Sequence, residues 1–454
     1  MQVYLFQSDL RIYDQPLLEK ALNNGPIIGL YIFEKDYLNK TKYGFLKNGL
    51  MKRKFLYDSL YDLKINLSNL NIPLLSIIGN TKDTLSKLSK YFKIDNIYYE
   101  ELPGSIEKKK YTQIEDLGIK TISMKIKPLY YENELPLKVM NMPFIFSSFR
   151  KKIESFSTNY YRKTTPIKHF DTNQNIPNWW VSSNELGIDN LSSKFKGGET
   201  SALERIKYYF YDSKKILNYK FTRNGLLNFN DSSKFSMYLS HGCISAKRIY
   251  FELKNFEKNV KKNISTYWLY FELLWRDFFY YTHLKYGNDI FHKGGFFKKT
   301  TDFRKNKFLL NSVISGSTGY PLIDSSVKEL TSTGYMSNRA RQNFANFFSK
   351  QLKLDWRIGA LFFESYLIDY DVSSNTLNWL YASGIGNDPI EHRLFNVSLQ
   401  GKKYDKNAEY VKTYLPILSN VPNKLIYDIP DITLRDRIDL KIENYPKPII
   451  RRKS

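Results

Sequence analysis

The stretch that decides the fold of the larger part of this chain is Thr333-Gly334-Tyr335-Met336-Ser337-Asn338-Arg339-Ala340-Arg341-Gln342. Asn338, Arg341 and Gln342 are spaced i, i+3 and i+4, so they share one face of a helix. The surrounding sequence, from Gly197 onward, keeps helical spacing almost throughout and carries little strand signal. Two amides and a guanidinium on one helical face are hard to explain as ordinary surface or as core, so they form a candidate site.

A second cluster repeats this spacing. Glu272, Trp275 and Arg276 lie at i, i+3 and i+4 on a helix predicted through Trp268–Tyr281. An ordinary Glu–Arg surface pair would produce the same pattern. The bulky apolar neighbours argue against full exposure, and a polar group in such a setting needs a partner. The residues alone leave both interpretations open.

Two further clusters complete the helical half. Tyr219 precedes the run Asp231-Ser232-Ser233-Lys234-Phe235-Ser236, where small hydroxyls and backbone N–H groups at a helix start would suit a pyrophosphate. A serine-rich helix cap is the commoner explanation of that pattern. The last cluster is Asp369-Tyr370-Asp371 with Asn375, Trp379 and Tyr381 behind it. No His or Cys lies nearby and calcium-loop spacing is missing, so we expect no metal there.

The first part of the chain alternates short apolar runs with amphipathic ones, which predicts a parallel, doubly wound α/β sheet. The predicted strands are Val3–Phe6, Ile27–Phe33, Leu74–Ile78, Ile97–Tyr99 and Thr121–Ile126, and helical spacing covers Phe45–Leu70 and Thr84–Phe92. No Gly-x-Gly-x-x-Gly follows the first strand, so a Rossmann dinucleotide site is not expected there.

The sequence therefore predicts an α/β domain over 1–130, a connector over 131–196, a larger all-α domain over 197–420 and a tail over 421–454. The connector is rich in Pro, Asn and Ser, with Trp179-Trp180 standing alone in it. The tail is rich in Pro and charge, which favours a solvated segment over a nucleic-acid arm.

Composition limits the class of protein. The formal charge of +24 and the pI near 9.5 indicate a polyanionic partner, although a compositional bias towards Lys would produce them as well. The chain has no apolar run long enough to span a membrane. A strand immediately after Met1 leaves no room for a signal peptide, and the single cysteine, Cys243, excludes a disulfide framework. We expect a soluble, intracellular monomer.

These clusters, in this order, resemble the FAD-binding domain of photolyases and cryptochromes. Gly197-Gly198-Glu199-Thr200 and Thr318-Gly319-Tyr320-Pro321 agree with it, and Ser8-Asp9-Leu10-Arg11 and Tyr43-Gly44-Phe45 resemble the antenna domain. The resemblance covers roughly residues 1–420. Ser337 and Gln342, with Tyr381 where enzymes that repair duplex DNA usually have Trp, indicate the cryptochrome-DASH branch.

The resemblance implies noncovalently bound FAD. It assigns Arg341 and Asp369 to a buried pair beside the isoalloxazine ring, and Asn375 to the position facing N5. The full implied set of cofactor-binding residues is Tyr219, Ser232, Ser233, Lys234, Phe235, Ser236, Glu272, Arg276, Asn338, Arg341, Asp369, Asp371 and Asn375. Glu101 could match a carboxylate that contacts a folate antenna, 5,10-methenyltetrahydrofolate, although a solvent-facing glutamate is the simpler explanation.

The resemblance also implies light-driven repair of cyclobutane pyrimidine dimers, with single-stranded DNA as partner and RNA or duplex DNA as weaker ones. Glu272 and Asn338 match dimer-side catalytic positions. Trp379 and Trp356 match the first two tryptophans of the electron chain that reduces the flavin, and Phe303 occupies its outermost position. Trp275, Arg339, Gln342, Tyr381 and Gln400 match positions that contact nucleic acid.

Other functions stay open on the sequence. A blue-light photoreceptor would use the same flavin pocket without repair, although the long C-terminal extension typical of that class is missing. A light-dependent regulatory protein that binds nucleic acid would use the positive charge without needing Glu272. Ser337 argues against six-four photolyase chemistry, which resembles proton transfer assisted by a histidine.

Overall fold

The computed structural model of the protein describes residues 1–156, 176–388 and 393–450. The chain forms two compact units, neither of them continuous in sequence. The first unit comprises Met1–Leu217, Lys234–Asn288 and Asp369–Ser374, and the second comprises Asn218–Ser233, Asp289–Ile368 and Asn375–Ser454. The domain boundaries drawn from the sequence stay predictions.

The first unit contains a five-stranded parallel sheet in the order β3-β2-β1-β4-β5. Its strands are β1 Gln2–Leu5, β2 Ile27–Glu34, β3 Leu74–Gly79, β4 Asn96–Glu100 and β5 Lys120–Met124. All four residues of β1 are buried, as is typical of a central strand covered on both faces. The predicted doubly wound α/β fold is confirmed, and every predicted strand is present within a few residues of its predicted bounds.

Helices of the first unit cover the sheet and continue beyond it. They are α1 Pro16–Leu22, α2 Leu50–Ser68, α3 Thr81–Leu88, α4 Ser105–Glu115, α5 Phe146–Glu154, α6 Glu199–Ile206, α8 Ser236–His241, α9 Ala246–Asn259 and α10 Ile264–Tyr286. Helix α3 begins earlier than predicted because the Asn80 side chain caps it, accepting hydrogen bonds from Lys82 N and Asp83 N. Helix α5 lies inside the predicted connector.

A short extended segment closes one edge of the sheet. We call Trp179–Val181 the strap. Ser76 N of the edge strand β3 donates to Trp179 O at 3.0 Å, and Val181 N donates to Ser76 Oγ at 2.8 Å. Successive side chains of an extended segment point to opposite faces. Trp179 accordingly packs against Tyr91, which follows α3 in the sequence, and Trp180 packs against Tyr57 of α2.

The second unit is built mainly of helices joined by loops, as the sequence predicts. Its helices are α7 Tyr219–Thr222, α11 Lys307–Ile314, α12 Pro321–Thr333, α13 Asn338–Asn346, α14 Trp356–Tyr366, α16 Val397–Tyr404, α17 Glu409–Tyr414 and α18 Leu434–Asp439. Helix α15, Val372–Ser383, starts in the first unit and continues in the second.

The prediction of a solvated tail is wrong for residues 421–450. Tyr445 is 2% exposed, and its hydroxyl donates to the buried carboxylate of Asp324 on α12 at 2.6 Å. Arg437 Nη1 donates to Tyr445 O at 2.8 Å, and Ile449 N donates to Thr318 O at 3.0 Å. Packing and hydrogen bonds within the second unit therefore order this segment, although most of its charged side chains are exposed. The basic run Arg451-Arg452-Lys453 lies outside the described residues.

Candidate active site

Helix α10 carries the second cluster on a partly exposed stripe. Glu272, Trp275 and Arg276 are each partly exposed, whereas Leu273, Leu274 and the residues directly after Arg276 are buried. The spacing predicted from the sequence therefore does place a carboxylate, an indole and a guanidinium side by side on one face. Because the rest of α10 is anchored in the core, these three side chains project from a rigid support.

The indole of Trp275 is held in one orientation by an aromatic partner that the sequence did not suggest. The ring of Phe146, on α5, stacks on it with centroids 3.8 Å apart and planes 12° apart. Phe278 meets the same indole edge-on at 5.7 Å. Such stacking restricts rotation of the ring, so Trp275 is prepared to act as a flat platform.

Arg276 belongs to a charge cluster in the first unit whose other members, Lys127 and Asp371, have nearly buried side chains. Its Nη1 donates to Lys127 O at 2.7 Å, and Lys127 Nζ lies 2.8 Å from Asp371 Oδ2. Burial opposes ionisation of Asp371, but the charges of Lys127 and Arg276 and a hydrogen bond from Ser374 N outweigh it. The pKa of Asp371 is therefore held well below its usual range. The cluster therefore holds the cations of Lys127 and Arg276 and the anion of Asp371 in fixed positions.

The serine run leads into helix α8, which begins at Ser236. Ser233, Lys234 and Phe235 are buried, Ser232 is partly exposed and Ser236 is exposed. Lys234 has φ +59°, an uncommon conformation for a residue with a side chain. A backbone held in this way next to a helix start suits an anion-binding turn. Tyr219, the first residue of α7, is buried.

Helix α13 presents the third cluster as predicted. The Ser337 side chain caps it by accepting from Ala340 N, so Asn338, Arg341 and Gln342 fall in its first turns. All three are at least partly exposed, whereas Ala340 is buried. Arg341 Nε donates to Met336 O at 2.7 Å, and its guanidinium lies 5.6 Å from the centroid of Tyr335.

Arg339 is fixed by two contacts. Its Nη2 donates to Asn224 Oδ1 at 3.1 Å, and its guanidinium lies over the ring of Tyr404, 4.6 Å from the centroid. Its Nε is buried without a hydrogen-bond partner among the described residues. Burial and the neighbouring Arg223 lower the pKa of the guanidinium, although Tyr404 opposes them. A phosphate oxygen would satisfy such a donor.

Trp379 and Asn375 occupy neighbouring turns of α15 and face α14. Asn375 Nδ2 donates to Ala360 O at 3.0 Å, which fixes the plane of its amide. Only glycine fits at 359, because a Cβ there would lie 2.2 Å from the indole of Trp379. Trp379 is 1% exposed, and its Nε1 has no hydrogen-bond partner in the described part of the chain.

Trp356 and Phe303 are linked through one residue. Trp356 Nε1 donates to Lys293 O at 3.0 Å, and Lys293 Nζ lies 5.5 Å from the centroid of the Phe303 ring. Both residues therefore contact Lys293, and the electron chain through Trp356 and Phe303 stays a prediction. The positive charge of the Lys293 ammonium therefore lies close to the Phe303 ring, which the sequence did not indicate.

Tyr381 and Gln400 are the remaining residues predicted to contact nucleic acid. Tyr381 is half-buried, and burial together with Asp388 raises the pKa of its hydroxyl against the opposing charge of Arg393. Gln400, on α16, has a buried Oε1 for which the described residues provide no donor. Asp369 is 9% exposed, and its predicted pairing with Arg341 stays a prediction.

Glu101 and its neighbour Glu100 differ sharply in solvent exposure. Glu101 lies at the surface, 3.8 Å from Lys125 Nζ, with its side chain 40% exposed. Glu100 is 1% exposed, and burial together with the charge of Asp9 raises its pKa to about 8, although Lys127, Arg11 and Arg276 oppose that shift. The simpler reading of Glu101 as a solvent-facing carboxylate agrees with its position, and the folate contact stays a prediction.

The described residues contain neither a candidate metal site nor a candidate membrane-spanning helix. Over residues 1–156, 176–388 and 393–450, no three His, Cys, Asp or Glu side chains gather as a metal site would require. None of the helices in those same ranges is long and apolar enough to cross a membrane.

Nearly the whole chain is similar to proteins of known family. Residues 2–168 match the family model for DNA photolyase, and residues 268–454 match that for the FAD-binding domain of DNA photolyase. A cryptochrome DASH from Synechocystis sp. is 36% identical over 98% of this chain and 94% of its own length. One from Danio rerio is 37% identical over 92% of this chain and 84% of its own length. The crystal structure of a Synechocystis sp. cryptochrome superposes with a TM-score of 0.93 at 34% identity, covering 99% of this chain and 96% of that one.

Proposed function

Because the chain belongs to the photolyase and cryptochrome family, in its cryptochrome-DASH branch, we propose that it repairs cyclobutane pyrimidine dimers in single-stranded DNA under blue light. RNA and duplex DNA would be weaker partners. The observation that carries this proposal is the stripe of Glu272, Trp275 and Arg276 on α10.

The residues of the chain suit FAD, whose binding domain is present. Arg276 and Asp371 offer a fixed cation and anion in the first unit. In the second unit, the Trp379 Nε1, which has no acceptor among the described residues, and the oriented amide of Asn375 have the donor and acceptor chemistry that a flavin ring requires. Bound in its reduced form, FAD would supply the electron that opens the dimer.

The α10 stripe would bind the lesion. Trp275, locked by Phe146, would stack against an extruded base, and stacking on an aromatic platform is worth ~1–3 kcal/mol per base. Glu272, with its carboxyl group protonated, would donate a hydrogen bond to the atom of the dimer on which negative charge develops. By the family resemblance, Asn338 and Arg339 on α13 would also contact DNA. Each of these groups is positioned by a helix rather than a loop.

Two residues support a preference for single strands. Extruding a dimer from a duplex costs a few kcal/mol, and less when its bases are unpaired. Tyr381 and Gln342 offer less apolar stacking surface than the larger side chains of enzymes that act on duplex DNA. The Tyr381 hydroxyl also interacts with Asp388 and Arg393, so its polar tip is engaged.

The test uses the purified flavin-loaded protein, chemically reduced, with one defined dimer in a single-stranded oligonucleotide and in its duplex. We expect repair of the single strand under blue light, much slower repair of the duplex, and a loss of roughly 10²-fold in rate for Glu272→Gln. Glu443→Gln, which makes the same change at an exposed position, is the control and should repair normally. Equal rates on both substrates would refute the strand preference. Absence of repair on either would instead favour the photoreceptor.

A further inference from the structure

The strap carries an aromatic and basic surface on the α/β sheet that the proposed repair reaction does not use. We define the strap surface as Trp179, Trp180, Tyr57, Tyr91, Lys64 and Lys87. Tyr91 is 45% exposed, both indoles are partly exposed and Lys87 is exposed. The indoles therefore cover the sheet edge without being enclosed by it.

Each indole is accompanied by one lysine. Lys64 Nζ lies over the ring of Trp180, 4.2 Å from its centroid, and Lys87 Nζ lies 4.8 Å from the centroid of Trp179. Cation–π contacts of this kind are worth ~0.5–1 kcal/mol at exposed sites. The contacts hold each ammonium beside a flat aromatic surface, so a positive charge and a stacking surface recur together on both sides of the strap.

The charge of this surface is not cancelled locally. In the described part of the chain, no carboxylate lies within 4.0 Å of Lys64 or Lys87. The two aspartates on α2 are engaged elsewhere: Asp58 pairs with Lys54, and Asp62 accepts from Thr200 N at 3.2 Å. The surface is therefore complementary to a polyanion, in a chain whose formal charge is +24.

We propose that the strap surface is an accessory binding site for single-stranded DNA, separate from the α10 stripe. Unpaired bases would stack on the exposed parts of the indoles and Tyr91, and the lysines beside them would neutralise adjacent phosphates. A duplex hides its base faces, so it could use the charges but not the rings. This site requires neither the flavin nor a lesion, so it does not depend on the proposed repair.

The test measures binding of the full-length protein to an undamaged 20-nucleotide oligothymidylate, in the dark, at several salt concentrations. Lys64→Glu with Lys87→Glu should weaken binding at least tenfold and reduce the salt slope by about 1.4, since each of two phosphate contacts on a single strand contributes ~0.7. The control, Lys109→Glu with Lys120→Glu, makes the same charge change at exposed positions on α4 and β5. It should bind as the wild type does.

A second double variant tests whether the two indole rings contribute to binding. Trp179→Leu with Trp180→Leu keeps an apolar cover and the backbone hydrogen bonds of the strap while removing both indoles. We expect at least fivefold weaker binding to the oligothymidylate, loss of part of the tryptophan fluorescence quenching that the oligonucleotide causes, and unchanged duplex binding. Wild-type affinity in both double variants, with melting temperatures unchanged, would overturn the proposal. Equal weakening for duplex and single strand in the leucine variant would overturn the stacking part. The repair assay is scored separately and can fail while this binding holds.

Discussion

The ammonium of Lys127 lies 2.8 Å from a carboxylate oxygen of Asp371, with the two side chains only 8% and 11% exposed. Breaking a buried ion pair from one side leaves an uncompensated charge, which costs ~3–5 kcal/mol. We expect Lys127→Met to lower the unfolding free energy by about 3 kcal/mol. Combining it with Asp371→Asn should cost less than the sum of the two single changes, measured by urea denaturation in a double-mutant cycle. Strict additivity would show that the pair does not couple.

The same ion pair makes the stability of the folded chain depend on pH in the acid range. Because the pKa of Asp371 is lowered in the folded chain, the folded state binds fewer protons than the unfolded state below neutral pH. The stability that this carboxylate contributes is present near pH 7 and is lost as the pH falls towards and below ~4. Asp371→Asn should therefore flatten the acid limb of the stability curve. An unchanged limb in unfolding experiments between pH 5 and 2 would contradict this assignment.

For Glu100 we expect stability to change with pH in the opposite direction. Its pKa is raised to about 8, so the folded state holds a proton that the unfolded state has released above about pH 4.5. Stability from this group is present at low pH and is lost as the pH rises towards 8, by at most ~1.4 kcal/mol per pH unit. We expect Glu100→Gln to gain stability relative to the wild type between pH 5.5 and 7.5. Glu101→Gln, at the exposed neighbouring position, is the control and should run parallel to the wild type.

Asp369→Asn should weaken retention of FAD, because the resemblance pairs this buried carboxylate with Arg341 beside the flavin. The measurement is the flavin-to-protein ratio after purification and after reconstitution with excess FAD. Asp428→Asn, which removes a surface carboxylate paired with Lys402, should keep the wild-type ratio. Full occupancy in the Asp369 variant would argue against that pairing.

Phe303 should limit photoreduction. Phenylalanine is a poor hole acceptor, and the Lys293 ammonium 5.5 Å from its ring would further disfavour positive charge there. We expect slow bleaching of bound flavin under fixed blue light with an external reductant, and faster bleaching in Phe303→Trp, with a further gain when Lys293→Met is added. Repair by chemically reduced protein should not change. If Trp356→Phe bleaches as fast as the wild type, the chain does not run through these residues.

The sequence predicted the elements whose signal is local. The strands and the polar faces of α10 and α13 follow from periodicity, so Glu272, Trp275, Arg276, Asn338 and Arg341 were placed correctly on their helices. Lys127 and Phe146 were missed because their partners, Asp371 and Trp275, lie far away in the sequence. The tail was predicted wrongly for the same reason, since Tyr445 is ordered by Asp324, 121 residues earlier.

The strap also bears on how the protein behaves in concentrated solution. A strand at the end of a sheet exposes backbone groups that can template pairing with a second chain. In β3 the N–H of Ser76 is already engaged by Trp179, and two indoles stand on either side of that position. Removing the strap would free this N–H for pairing with the edge of a second chain. The strap backbone therefore protects this position of the sheet edge against pairing with another molecule.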